Sequence, residues 1–292
     1  MASLAILKTL IRELITTERS SRVPEPDLIM DDPDKVEAFR KAGEINGVMA
    51  PVYIFHCAQI CDIIKPGDNV IDLGCGPANQ LGLVAKCNPD IQFTGIDLST
   101  EMLDKANTYI KAEKLSNVNL QQDDISKLSS IKDQSVDAIF STVVLHHLPD
   151  VKHFFDTFKQ IKRVLKPGGG LYIVDFAHLK SEKSINYFAY QYADRQPELF
   201  TLDYLYSLRA AFSVQNFKEV TNQYLKNDAQ FHSMFMLPFM VAIKSPNRRE
   251  ADQKIFDQLS QARIAMPDYH KTDIKDLIHL FGKGGMKSQF LR

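Results

Sequence analysis

The sequence predicts an α/β fold, a doubly wound, Rossmann-like sheet of seven strands with helices on both faces. The sheet is expected to be mostly parallel with an antiparallel last strand. Three observations carry this reading. From Asn69 to Phe176, short apolar runs alternate with helical patterns, as in a chain of βαβ units. The runs NVIDLG, IQFTGID, VDAIFSTVV and LYIVDF have little polar alternation, which suits strands covered on both faces. The first run ends in a glycine-bearing turn, DLGCGPAN, that leads straight into a helical pattern.

Taken in order, MASLAILKTLIRELI reads as an amphipathic helix with Leu4, Leu7, Leu10, Ile11, Leu14 and Ile15 on one face. That stripe is expected to pack on the chain's own domain, with a peripheral membrane contact through residues 1–15 left open. The polar, proline-bearing TTERSSRVPEPDLIMDDPD follows as a linker or extended wrap. Two helical patterns, KVEAFRKAGEINGVM and PVYIFHCAQICDII, precede the stop KPGD. QLGLVAKC reads as a helix, and so does STEMLDKANTYIKAEK, with Ser99 as its N-cap. VNLQQDD is a further strand, and DVKHFFDTFKQIKRVL a helix closed by KPGGG. Beyond Phe176 lie an aromatic stretch and the helical pattern LDYLYSLRAAF. EVTNQYL and MFMLPFMVAIKS then read as an antiparallel strand pair. Two more helical patterns follow, and KGGMKSQFLR reads as loose. These elements divide into a helical extension over 1–50, a cofactor-binding domain over 51–245 and a C-terminal helical extension over 246–292. Residues 177–218 are expected to cap the domain.

Composition narrows the function. Hydrophobic residues at 45% and charged residues at 24% are the mix of a globular protein, and a net charge of −1 gives no field that would draw nucleic acid. The four cysteines, Cys57, Cys61, Cys75 and Cys87, form no CxxC or Cys/His pattern of zinc spacing, so no metal site is expected. Reduced thiols and a cytoplasmic location are the expectation. The start carries Lys8, Arg12 and Glu13 and lacks a cleavage site, so it reads as neither a signal peptide nor a spanning segment.

Gly74 and Gly76 let the backbone turn sharply and approach a ligand without Cβ clashes. Asp97 ends the next strand 21 residues after Gly76, a spacing suited to holding the two hydroxyls of a ribose. A dinucleotide site would carry a third glycine where Asn79 stands, so DLGCGPAN does not suit a pyrophosphate. The motif resembles instead the (D/E)xGxGxG signature of class I S-adenosylmethionine-dependent methyltransferases, with Ala78 in place of the last glycine. FTGIDLSTEMLDKA, QQDDISKL, VDAIFSTVVLHHLPD and VLKPGGGLYIVDF are similar to the family's later motifs, in order, from about Val70 to Phe176. The nearest likeness is to the broad group that holds the ubiquinone and menaquinone C-methyltransferases.

The resemblance implies S-adenosyl-L-methionine as cofactor and assigns residues to it. The backbone at Gly74 and Gly76 would pass its methionine part, with Asp72 reaching the ammonium. Asp97 would hold the ribose, Leu98 and Ile125 the two faces of the adenine, and Asp124 its amino group. Ser141 and Thr142 would lie near the sulfonium. His146 and His147 follow the fourth strand, where an acceptor would approach, and one of them is a candidate general base, His146 the favoured one. Tyr187, Tyr190 and Tyr192, within SINYFAYQYADRQPELFTLDYLY, are the candidate acceptor pocket for an aromatic, lipid-like or amine compound. The partner expected is a small-molecule acceptor, and self-association stays open. Two other readings survive the sequence: a catalytically idle cofactor-binding subunit and an NAD(P)-dependent oxidoreductase.

Overall fold

The structure, a computed structural model, describes residues 4–17, 20–26, 31–43 and 47–291. The first described helices are α1 (Leu4–Ile15), α2 (Pro33–Ala42) and α3 (Ala50–Ile63). The alternating region then runs β1 (Asn69–Leu73), α4 (Asn79–Cys87), β2 (Gln92–Asp97), α5 (Thr100–Ala112), β3 (Val118–Gln122), β4 (Val136–Thr142), α6 (Val151–Val164) and β5 (Leu165–Phe176). After it come α7 (Glu182–Tyr190), α8 (Glu198–Ala210), α9 (Val214–Tyr224), β6 (Gln230–Ser233), β7 (Met240–Lys244), α10 (Gln253–Ala265) and α11 (Asp268–Lys283).

The seven strands form one sheet in the order β3-β2-β1-β4-β5-β7-β6. The pairs among β1 to β5 are parallel, and β7 runs antiparallel to both β5 and β6. The order reverses between β1 and β4, the switch point outside whose carboxyl ends ligands bind in this kind of sheet. Along β1 the side chains alternate. Val70 joins the core layer with α3 and α4, and Ile71 and Leu73 join the layer with α6 and α9. Burying both faces is what makes these strands apolar throughout.

Four expectations are corrected. Residues 219–225, read as a strand, belong to α9 and its C-cap Leu225. Ser213 caps the helix by accepting from the Asn216 N–H at 3.1 Å, and its own N–H donates to Asn216 Oδ1 at 3.2 Å. Phe217, Val220 and Thr221 then supply a buried helical face. The partner of β7 is therefore β6. The closing residues are not loose, because Met286, Phe290 and Leu291 are buried and Ser288 Oγ donates to the Ala58 carbonyl at 3.1 Å. The stripe of α1 expected to pack inward is exposed at Leu7, Ile11, Leu14 and Ile15, while Thr9 and Glu13 turn inward. The helical pattern over 35–49 ends at Ala42, capped by Gly43, and residues 44–46 lie outside the described ones.

Candidate functional site

At the switch point opens a cavity of about 540 Å³. Its floor is the turn after β1, where Gly74 (φ 74°) and Gly76 (φ 51°) take left-handed backbone that side chains resist. A Cβ on Gly74 would lie 2.3 Å from Val144 Cγ1, so the close approach needs glycine. A Cβ on Gly76 would meet only Phe39 Cε1 at 3.9 Å, so that glycine leaves its space open to the cavity.

Asp97 faces this turn from the end of β2. Its Oδ2 accepts from the Gly76 N–H at 2.8 Å and its Oδ1 from the Ser99 N–H at 2.9 Å. Each oxygen keeps a further lone pair, so the carboxylate can still receive a pair of hydroxyls. Burial pushes its pKa up against the pull of those N–H groups. Asp72 lies on the same wall, and burial, then the charge of Asp97, pushes its pKa well up. Among the described residues its Oδ2 has no partner, and neither do Gln80 Oε1 and His56 Nε2, two further buried atoms of wall residues. Buried polar atoms without partners are costly, so this end of the cavity suits a ligand that is itself polar.

Asp124, Leu98, Ile125 and Thr142 also line the cavity. Asp124 Oδ1 accepts from the Ser126 N–H at 2.9 Å and Oγ–H at 2.7 Å, and Oδ2 pairs with Lys127 at 2.9 Å. Its neighbour Asp123 turns to Ser130 and is not on the wall. Ser141 is a correction. Strand alternation turns its side chain away from Thr142's, and its hydroxyl, fully buried, donates to the Leu73 carbonyl at 2.7 Å.

The other end of the cavity is aromatic, with Phe176, Phe188, Tyr192, Phe200, Tyr204 and Phe239 on its wall. Of the three tyrosines singled out in the sequence, Tyr192 is among them, its hydroxyl donating to Asp273 Oδ1 of α11 at 3.1 Å. Tyr187 and Tyr190 are corrections. The turn of α7 points Ile185 and Phe188 inward, leaving Tyr187 at the core's edge and Tyr190 50% exposed. Asp273, Asp276, Leu277 and Leu280 of α11 join the wall, a contribution from the C-terminal helices that the sequence reading missed.

His146 and His147 stand on a short 3₁₀ turn, Leu145–His147, past β4. The chain reaches it through Val143 at φ 59°, a left-handed position that a β-branched residue resists at a cost of roughly 1–3 kcal/mol. Both histidines line the cavity, with ring centroids 4.4 Å apart. Asp175 of β5 is paired with His146 Nδ1 at 2.8 Å, and its other oxygen accepts the His146 backbone N–H at 3.1 Å.

Glu25, not singled out in the sequence, closes the group. Its Oε2 is 3.3 Å from His147 Nδ1, its Oε1 is 3.6 Å from His146 Nε2, and Ser207 Oγ donates to Oε1 at 2.9 Å. Burial would raise the pKa of Glu25, yet the hydrogen bond and charge of His147, the charge of His146 and the Ser207 hydroxyl bring it down to about 2. Burial would lower that of His147, and Glu25, with the charges of Asp203 and Asp175, carries it up to about 9.

Arg22 holds this segment in place, donating to the carbonyls of Ala210, Pro149, His146 and Leu148 with its guanidinium 4.1 Å over the Phe212 ring. A lone Glu between two prolines, VPEP, gave no pattern from which to read a role.

A family model described as a methyltransferase domain matches residues 64–224. A 27-O-demethylrifamycin SV methyltransferase of Amycolatopsis mediterranei is 34% identical over 114 residues, covering 39% of this chain and 40% of that protein. A demethylmenaquinone methyltransferase of Listeria welshimeri is 31% identical over 113 residues, 38% of this chain and 46% of that one. The chain spans less than half the length of the curated relatives it matches. Among solved structures, a SAM-dependent methyltransferase of Aquifex aeolicus superposes with a TM-score of 0.50 at 17% identity, covering 73% of this chain and 97% of that one, a likeness of fold. The family model covers more than half the chain and includes the glycine turn, Asp97 and both histidines, and with it the chain belongs to the methyltransferase-domain family, among the class I S-adenosylmethionine-dependent methyltransferases.

Proposed function

We propose that the protein transfers a methyl group from S-adenosyl-L-methionine to a small-molecule acceptor bound at the aromatic end of the cavity. The observation that carries this is the meeting of the glycine turn, Asp97 and the unpartnered Asp72 carboxylate on the wall of one cavity. The donor set fits the cofactor. Asp97 would take the ribose hydroxyls, Asp124 the adenine amino group, Leu98 and Ile125 the ring, and Asp72 the ammonium beside the glycine turn. When bound, the cofactor supplies an activated methyl group, and in-line displacement then depends on orientation and exclusion of water. Thr142, on the same wall, would lie near the sulfonium. Phe176, Tyr192, Tyr204 and Phe239 would hold an apolar or aromatic acceptor, and His146 and His147 would act on the atom that receives the methyl group. Relatives named for rifamycin and menaquinone methylation support a small organic acceptor.

Titration calorimetry with S-adenosylhomocysteine, followed by a screen of small organic acceptors with methyl-labelled cofactor, tests the reading. Saturable binding and label transfer are expected. Binding of NADH in its place would overturn the cofactor, and binding without transfer across the screen would favour an idle subunit.

A further inference from the structure

We propose that Glu25, His146 and His147 form a binding site for one divalent first-row transition-metal ion. A nitrogen of each ring and a carboxylate oxygen of Glu25 all lie within 4.8 Å of one another. Each Glu25 oxygen faces one ring, Oε2 at 3.3 Å from His147 Nδ1 and Oε1 at 3.6 Å from His146 Nε2, separations within the roughly 3.3–3.6 Å between neighbouring ligand atoms bonded to one ion at about 2.0–2.2 Å, with the carboxylate free to offer both oxygens.

The surroundings of His146 are those of a ligand. Asp175 takes the Nδ1 side of His146, the arrangement that fixes a ligating imidazole and makes its other nitrogen a better donor. With the proton on Nδ1, the lone pair of Nε2 and the carboxylate of Glu25 face each other at 3.6 Å as two acceptors. A cation between them resolves that conflict. Among the described residues no lysine or arginine is on the cavity wall to supply it, the Arg22 guanidinium is spent on backbone carbonyls, and His147 pairs with the other Glu25 oxygen. Ser207 orients the Glu25 carboxylate as Asp175 orients His146.

Two nitrogens and one carboxylate favour zinc, iron, cobalt or manganese over calcium and magnesium, which prefer all-oxygen sets. The His146 and Glu25 side chains are 2% and 5% exposed, whereas His147 is 27% exposed and turned to the cavity. The open side of the ion therefore faces the acceptor end, where it suits a hydroxyl or carboxylate oxygen. Only this last statement rests on the methyltransferase reading. A ring nitrogen that ligates an ion cannot also take a proton, so the ion would replace the general-base role expected of the histidines.

The test uses the full chain, stripped with a chelator and titrated with Co²⁺ or Zn²⁺ alone by calorimetry, with Co²⁺ absorption as a second readout. One ion per chain is expected, with visible cobalt bands. Glu25→Gln and His147→Ala should abolish the bands, and Asp175→Asn should weaken binding by about 10- to 100-fold. Glu25 lies on an extended segment outside the sheet, so its variant keeps the fold, as circular dichroism would verify. Absence of cobalt bands in the wild type, or bands unchanged in Glu25→Gln, would overturn the site. S-adenosylhomocysteine affinity, measured in parallel, separates this outcome from failure of the methyl-transfer reading.

Discussion

Asp97 has two tasks, bracing the glycine turn through the Gly76 N–H and offering its remaining lone pairs to the cavity. Hydrogen bonds to a charged group contribute about 1.5–3 kcal/mol each. Asp97→Ala should therefore weaken S-adenosylhomocysteine binding by about 10- to 100-fold, read by calorimetry on a variant whose unfolding transition stays cooperative. Unchanged affinity would remove Asp97 from the ribose site. Much at this scale was legible in advance, because Gly74, Gly76 and Asp97 sit at fixed distances from strand ends that apolar runs reveal, and the family resemblance added Asp124. Ser141 and Thr142 were not separable, since a strand's alternation is clear in sequence but which face meets the cavity is not. Tyr187 and Tyr190 misled for a similar reason, an aromatic-rich helix giving no sign of which turn looks inward.

The element with most influence on the acceptor end is the extended segment 20–26. It is tied down by main-chain bonds, Ser20 N–H to the Lys180 carbonyl at 2.9 Å and Val23 N–H to the Arg209 carbonyl at 3.0 Å, as well as by Arg22. Upstream, Glu13 of α1 accepts the N–H groups of Lys180 and Ser181 at 2.8 and 3.2 Å. Few apolar contacts support this segment, so its local stability depends on those polar bonds. In Arg22→Ala, amide exchange at Ser20 and Val23 should quicken by about tenfold or more while the β1 and β4 amides keep their rates. Equal rates in variant and wild type would mean that the segment is held by packing instead. Its prolines and polar residues mark a linker or an extended wrap but not a destination, because contacts between residues more than a hundred positions apart leave no local pattern. Residues 219–225 failed differently. Val220 and Thr221 favour a strand in isolation, and the Ser213 cap with packing on α6 overrides that preference.

At the scale of the molecule, Lys244 at the end of β7, beside the edge strand β6, ties that side of the sheet to the helices. Its ammonium donates to Asp62 and Gln59 of α3, each at 2.7 Å, and to the Lys287 carbonyl of the closing segment at 3.3 Å. Burial lowers the Lys244 pKa and raises that of Asp62, opposed in both by their attraction. Removing one partner strands a buried charge, so Lys244→Met should cost about 3–5 kcal/mol in denaturant unfolding, and Asp62→Leu added to it should recover part of the loss. A single variant as stable as wild type would show that water reaches the pair. The mostly parallel, doubly wound sheet with its antiparallel last strand followed from the sequence pattern, whereas the packing of α11 against α3 and the seating of residues 286–291 depend on this buried pair and on a few large side chains. The wrap over residues 146–149, 178–181 and 209–210 has a further consequence in time. Residues 4–26 leave the ribosome long before the last of those surfaces, and at about 5–20 residues per second the delay is roughly 10–40 s. Through that interval Glu13 lacks the Lys180 and Ser181 N–H groups that later hold α1 in place, so the helix stays undocked and open to chaperones that hold exposed helices.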